Sequence, residues 1–350
     1  MAIDFCTYFD VGYLPRAVAL FESLQQHAPG SKLFAVCMDD AAFSAVAQLG
    51  FDDFIPVSRE RFEQGDDELS VLAASRTTVE YYFTCTPSIV LHILREHSKS
   101  ELLFYVDADF WFFNGIGEMI EDMGNDSVYI VEHRFPEFQK DLEVYGKFNV
   151  GVLGFRRDSI ALACLEKWRS DCIEWCFDRL EGDRFADQKY LDQWPDSCQN
   201  VKIARHAGVN VAPWNKGNYQ LEQTSSGLKV NNSLLICFHF QGLRVHRFGL
   251  IEPQVFDYGM KLSDDFLRLV YTPYLLAISR AVRRVRKRAT SRRYENEPSL
   301  REIWQYKTTN RFCIQLFQCV SSIRNWRVVP MMTFLSVARF LRSSGVNKSK

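Results

Sequence analysis

No uncharged apolar run reaches the roughly 18 residues that a membrane-spanning helix needs, so no span is expected. The start of the chain lacks the basic region and apolar stretch of a secretory signal, and a strand-like segment, Ile3–Phe9, opens almost at once. The ten cysteines contain no Cys-x-x-Cys pair and no Cys/His spacing of a zinc site. Cys172 and Cys176 stand one helical turn apart and read as helix-face residues. A reduced, cytoplasmic protein is therefore expected. Net charge is also nearly lacking, at −1, but the balance hides an asymmetry. From Asp257 to Lys350 there are 19 Lys/Arg against 6 Asp/Glu, which leaves everything before Asp257 acidic. An acidic body joined to a basic tail suggests that the tail meets something anionic.

What is present starts with one stretch, Leu102-Leu103-Phe104-Tyr105-Val106-Asp107-Ala108-Asp109-Phe110-Trp111-Phe112-Phe113. Five apolar residues run into two carboxylates at i and i+2. The run reads as a strand buried on both faces, as in the middle of a parallel sheet. A core has no use for two unpaired acids, because burying each costs several kcal/mol. At a strand tip they offer hard oxygen ligands for Mg²⁺ or Mn²⁺ against a pyrophosphate. The bland alternative is a strand that ends at a solvated acidic turn.

The surrounding pattern alternates. Strand-like segments at Ile3–Phe9, Lys32–Met38 and Phe54–Pro56 interleave with helical periodicity over Tyr13–His27 and Asp40–Leu49. A helix over Thr77–His97, with a start signal at Thr86-Pro87, leads to the strand at 102–106. Strands at Ser127–Glu132 and Val150–Phe155, a long helix over Ser159–Leu180 and a last buried strand at Leu234–Phe240 follow. This order predicts an α/β fold with a mostly parallel sheet, whose ligands sit beyond the carboxyl ends of the strands. Asp39, Asp40, Asp107 and Asp109 all end strands. Beyond residue 256 the pattern turns helical and basic, which predicts a body at 1–256 and a helical region at 257–350.

At this point the residues resemble the GT-A glycosyltransferases, and among them the retaining family (family 8-like) that includes bacterial lipopolysaccharide galactosyltransferases and glycogenin. Asp107-Ala108-Asp109 matches its DxD, and Phe148-Asn149-Val150-Gly151-Val152-Leu153 its asparagine–small–Gly-Val strand. Asp187-Gln188 matches its Asp-Gln pair, and His239-Phe240-Gln241-Gly242 its HxxG. The four lie in the family's order over roughly residues 3–245. The resemblance implies a GT-A fold, Rossmann-like with helices on both sides of the sheet, here with a helical basic extension.

It also implies a site. Asp107, Asp109 and His239 would hold Mn²⁺ or Mg²⁺, which acts as a Lewis acid for a departing nucleoside diphosphate. Gly242 would let backbone amides approach phosphate oxygens. The family's HxxG runs on to a lysine and Pro-Trp. Here the chain reads Leu243-Arg244-Val245-His246, and Arg244 and Lys216 become candidate phosphate clamps. Asn149 would face sugar hydroxyls, or else merely start a strand. Asp187 would contact the donor sugar, with Gln188 beneath the anomeric carbon in a front-face, retaining reaction. Thr7 and Tyr8 are candidates for the nucleobase, Ala108 belongs to the donor-binding turn, and Arg76 would reach toward donor phosphate or sugar. Trp214 packs over a sugar face or anchors its loop.

The expected activity is metal-dependent transfer of a sugar from a UDP-sugar to a glycan or lipid-linked acceptor, in lipopolysaccharide or surface-polysaccharide synthesis. The alternatives are a nucleotide-sugar binding protein without activity, and a haloacid-dehalogenase-type phosphatase. The second fits less well, since Trp111 stands where that family wants Thr or Val. In the tail, Tyr271, Tyr274, Leu275, Leu276 and Ile278 precede eight basic residues between Arg280 and Arg293. That sequence reads as an interfacial helix on an anionic membrane, extended by apolar faces at Phe312–Phe317 and Val328–Phe340. No nucleic-acid-binding module accompanies it, so nucleic acid is not an expected partner.

Overall fold

A computed structural model describes residues 2–245, 251–255 and 257–290. His246, Arg292, Arg293 and the apolar segments Phe312–Phe317 and Val328–Phe340 lie outside them.

The first half alternates as expected: β1 (Ile3–Phe9), α1 (Leu14–His27), β2 (Leu33–Cys37), α2 (Asp40–Leu49) and β3 (Phe54–Ser58). Short helices α3 (Arg59–Glu63) and α4 (Asp67–Ser75) lead to α5 (Thr78–His92), a π-turn over Ile93–His97, and β4 (Leu102–Val106). β5 (Phe110–Phe112), α6 (Gly117–Met123), β6 (Val128–Glu132) and β7 (Phe148–Arg156) come next, followed by α7 (Ser159–Glu174), α8 (Trp194–Ser197) and β8 (Val201–Ile203). Short strands β9 (Leu221–Thr224), β10 (Gly227–Val230), β11 (Ser233–Leu234), β12 (Cys237–His239), β13 (Arg244–Val245) and β14 (Ile251–Glu252) precede α9 (Asp264–Phe266) and α10 (Thr272–Thr290).

The central sheet has the order β3-β2-β1-β4-β7-β6-β8. β3, β2, β1 and β4 are parallel, β7 runs antiparallel to β4 and β6, and β6 and β8 are parallel. Each face has its own core. Leu102, Phe104 and Val106 point into the cluster beneath α1 and α2, while Leu103 and Tyr105 point into the one beneath α5 and α7. The 102–106 run is thus buried on both faces, and the mostly parallel sheet flanked by helices is the layout expected.

Boundaries move where a cap decides them. The helix expected from Thr77 does begin there, because Thr77 and Glu80 form a reciprocal capping box; Pro87, read as a start signal, lies inside it. The helix expected to run to Leu180 stops at Glu174, and Trp175 turns extended. The buried Arg76 guanidinium donates to the carbonyls of Cys172 (2.7 Å) and Ile173 (2.8 Å), closing that helix end. Asp39, expected near the ligand face, caps α2 by accepting from Ala42 N at 2.7 Å.

The strand expected over Leu234–Phe240 divides in two. β11 pairs with β10, and β12 leaves to pair with β5. The backbone of Gly208 takes the amides of Ile236 (2.9 Å) and Cys237 (3.1 Å) between them. Packing also continues across residue 256. A third core cluster joins Trp111, Phe238 and Phe240 to Tyr271, Tyr274 and Ile278. Tyr274 stacks on Phe240 with centroids 3.8 Å apart. Tyr271, Tyr274, Leu275 and Ile278 are therefore core residues, which corrects the expectation that they face a membrane; of that set only Leu276 is exposed.

Candidate active site

The two acids owe their position to the turn and short strand after them. β4 ends at Val106, Asp107 N bonds to Gly151 O (2.9 Å), and a tight turn brings Phe110 N onto Asp107 O (3.2 Å). β5 starts there and pairs antiparallel with β12, setting His239 opposite Phe110. Phe240 N donates to Asp109 O at 3.0 Å. The outcome is a three-residue cluster: His239 Nε2 lies 3.1 Å from Asp109 Oδ1 and 3.6 Å from Asp107 Oδ2. One donor atom from each of the three lies within 4.8 Å of the other two, the arrangement of a divalent-ion site.

Packing fixes the imidazole. Phe110 stacks on it at 4.3 Å, Trp214 meets it edge-on at 5.4 Å, and Gly151 passes beneath. A Cβ on Gly151 would come within 2.8 Å of His239 Nδ1, so only glycine allows this approach. Nδ1 itself is buried without a partner. Tyr105 donates its hydroxyl to Asp107 Oδ1 at 2.6 Å. Burial holds Asp107 above its ordinary value against the pull of His239. Burial acts the same way on Asp109, but the imidazole charge and hydrogen bond outweigh it and take that group down. Two carboxylates and an imidazole, aimed at one point, fit Mn²⁺ or Mg²⁺.

Across a cavity of about 440 Å³ stand Asp187 and Gln188. Ala186, held in the left-handed region at φ 47°, turns the chain into them, a strain of order 1 kcal/mol or more. Trp168 Nε1 donates to Asp187 O at 2.8 Å. Burial pushes the Asp187 carboxyl up to about 7; a bond from Thr86 opposes this and the Asp107 charge adds to it. Asn149 links the two sides: its Oδ1 accepts from Gly151 N (3.1 Å) and its Nδ2 donates to Gln188 Oε1 (3.3 Å). Tyr8 also lines the cavity, its ring stacked on Tyr105 at 6.1 Å.

Other expected residues stand elsewhere. Thr7 and Ala108 are buried beside the cavity without lining it. Arg76 serves the end of α7 instead of reaching toward a donor. Lys216 donates to the Lys261 carbonyl and lies over the Phe266 ring at 5.4 Å, and burial lowers its pKa to about 8. Arg244 is exposed on β13, away from the lining. Gly242 keeps its positive φ of 68°, but the Gln254 side chain fills the space a Cβ would need. Among the described residues that line the cavity there is no Lys or Arg.

Sequence reasoning missed several lining residues: His133, Phe135, Tyr145, Phe185 and Tyr258. His133 comes directly after β6, the strand-end position that singled out Asp107, and that signal was available. Burial lowers its imidazole to about 4, so it is neutral. Phe135, Phe185 and Tyr258 sit in irregular segments with no periodicity to announce them, and Tyr145 ends a 3-10 helix over Glu137–Tyr145.

No family model matches the chain. It is similar to two uncharacterised proteins of Bacillus subtilis (strain 168). YfnD is 26% identical over 282 residues, covering 79% of this chain and 88% of its own. YfnF is 29% identical over 255 residues, covering 70% and 83%. Among solved structures it is similar to the galactosyltransferase LgtC in complex with donor and acceptor sugar analogues, with 14% identity, 68% of this chain and 87% of that one, at a TM-score of 0.47. It is also similar to the glycosyltransferase GlyE of Streptococcus pneumoniae TIGR4, with 12% identity, 89% and 66% coverage, and a TM-score of 0.47.

Proposed function

We propose that this chain is a metal-dependent glycosyltransferase. It moves a sugar from a UDP-sugar to a glycan or lipid-linked acceptor, with retention, in surface-polysaccharide or lipopolysaccharide synthesis. One observation carries the reading: Asp107, Asp109 and His239 meet just past the tip of β4, and two of them, Asp107 and His239, line the same cavity as Asn149, Asp187 and Gln188, with Asp109 buried behind them.

Bound Mn²⁺ or Mg²⁺ would supply Lewis-acid neutralisation of the leaving nucleoside diphosphate. The chain's own groups do the rest. Tyr8 and Tyr105 offer a stacked aromatic pair at the β1 tip for the nucleobase. Asn149 holds the amide of Gln188, which faces the donor sugar from the side opposite the acids. Asp187, half-ionised near neutrality, accepts a hydrogen bond from a sugar hydroxyl in its charged form. Trp214, Tyr258 and Phe135 present rings to apolar sugar faces and keep the cavity dry.

The tail supports a peripheral placement. With its apolar side spent on the body, α10 leaves Arg280, Arg283, Arg284, Lys287 and Arg288 exposed along one stripe, of which Arg280 (3.7 Å) and Arg284 (2.8 Å) also pair with Glu22 on α1. Such a stripe suits the anionic inner face of a plasma membrane, with each charge near the surface adding about 1 kcal/mol. Among the described residues no helix is long and apolar enough to cross a membrane. The test is a screen of nucleotide sugars with Mn²⁺, read as released nucleoside diphosphate and as the anomeric configuration of the product by NMR. Donor binding with no release would leave a nucleotide-sugar binding protein, and an inverted product would end the retaining assignment.

A further inference from the structure

We propose that His133 is a positioning residue for Gln188, acting through Asn149 by a chain of hydrogen bonds whose direction is fixed at both ends. The proposal rests on the transferase reading for its consequence, though not for its geometry.

The direction comes from groups that have no choice. The Gly151 N–H can only donate, so the Asn149 atom facing it at 3.1 Å is the oxygen. Asn149 Nδ2, with two hydrogens, then faces His133 Nε2 at 3.3 Å and Gln188 Oε1 at 3.3 Å. The Lys147 carbonyl can only accept, and it lies 3.3 Å from His133 Nδ1. The His133 proton therefore sits on Nδ1, which leaves Nε2 as an acceptor for Asn149. At the far end Gln188 Nε2 donates to the Tyr145 carbonyl at 3.2 Å, so its oxygen must turn toward Asn149. Every link has one allowed sense. Reversing any of them sets two donors or two acceptors face to face.

Neighbours hold the chain in register. The His133 ring stacks on Phe135 at 4.8 Å with planes 8° apart and meets Trp214 at 5.3 Å. Gly146, at φ 134°, lies against the Gln188 side chain, where a Cβ would come within 3.1 Å of its Cγ and Nε2. A buried, neutral, stacked imidazole behind Asn149 is thus an orienting device. It sets which face of the Gln188 amide the donor sugar meets, before any sugar arrives. Preset orientation of this kind is worth far more to a rate than to an affinity.

Two measurements decide it. In the full-length protein labelled with ¹⁵N-histidine, NMR should report His133 as the neutral Nδ1–H tautomer without donor present; an Nε2–H tautomer or an imidazolium at neutral pH would overturn the relay. In transfer assays, His133→Phe keeps the stacking ring but removes the acceptor, and should lower kcat by about ten- to a hundred-fold with little change in donor KM. His133→Gln can place a carbonyl oxygen where Nε2 stood and should recover most of that loss. Full kcat in His133→Phe, a change confined to KM, or equal losses in the two variants at unchanged melting temperature would each overturn the proposal. Should His133→Phe fail to fold, the tautomer and His133→Gln still decide. If the unsubstituted protein released no nucleoside diphosphate from any donor, the transferase reading would fail, while the NMR result would stand by itself.

Discussion

Nε2 of His239 lies 3.1 Å from Oδ1 of Asp109, although the two residues come from distant parts of the chain. The antiparallel pairing of β5 with β12 makes the contact, because β5 begins immediately after Asp109 and its first residue, Phe110, faces His239. The candidate metal site is thus a property of one short strand pair.

Removing one ligand should disable the site and spare the fold. Asp109→Asn and His239→Ala are expected to lose Mn²⁺ binding by calorimetry and donor turnover by at least about a hundred-fold, with melting temperatures shifted by only a few degrees. Undiminished Mn²⁺ affinity in either variant would remove the assignment.

No described lining residue is a lysine or an arginine, so nucleoside diphosphate binding should depend on the metal. Titration of UDP into protein stripped with a chelator should show at least about a tenfold weaker Kd than with Mn²⁺, a difference of about 1.4 kcal/mol. Equal affinities would mean that the chain supplies the missing cation itself.

Gly151→Ala probes the floor of the site. The added methyl would stand 2.6 Å from Asn149 Oδ1 and 2.8 Å from the His239 ring. Such overpacking costs about 1–3 kcal/mol and should displace His239, weakening metal binding more than the stability loss explains. Wild-type metal affinity in a folded Gly151→Ala protein would show that the strand can give way without moving the imidazole.

Asp187 ties stability to pH. Its carboxyl is raised from 3.8 to about 7, chiefly by burial, so the folded state holds a proton the unfolded state has released. Its stabilising contribution is complete below the unfolded value and is lost as pH rises toward about 7. At about 1.4 kcal/mol per pKa unit, Asp187→Asn should be more stable than the parent at pH 8, by on the order of 2–4 kcal/mol, while losing turnover. Melting curves at acidic and alkaline pH test this; parallel profiles for the two proteins would refute it.

Helix α10 of the tail should be indispensable. Tyr274→Ala removes a ring stacked on Phe240 and should cost about 3–5 kcal/mol, so truncation before Asp257 should unfold the body rather than release it. Charge reversal of Arg283 and Lys287 should instead preserve stability and abolish salt-sensitive binding to anionic vesicles. Vesicle binding that survives both the reversal and high salt would exclude the electrostatic contact.

Some of this protein was determined locally and could be read from its residues. The run from Leu102 to Val106 carries no charge, and its one polar side-chain atom is the Tyr105 hydroxyl, so it reads as a central strand, and two acids at its tip point to a role outside the core. Helix starts at Thr77 and Asp39 come from side chains that reach amides only three residues away. Other features depend on partners that sequence does not bring near. β5 and β12 are three residues each, too short to show a period, and their pairing is held by two cores at once, Phe110, Phe112 and Cys237 in the cluster beneath α1 and α2 and Trp111 and Phe238 in the third. A guanidinium serves phosphate or carbonyl equally well. Only the tertiary packing set Arg76 on the carbonyls of α7, and turned Tyr274 inward where its amphipathic helix pattern suited a membrane as readily as a core. Periodicity reports that a face is apolar; what covers it is decided by the rest of the chain.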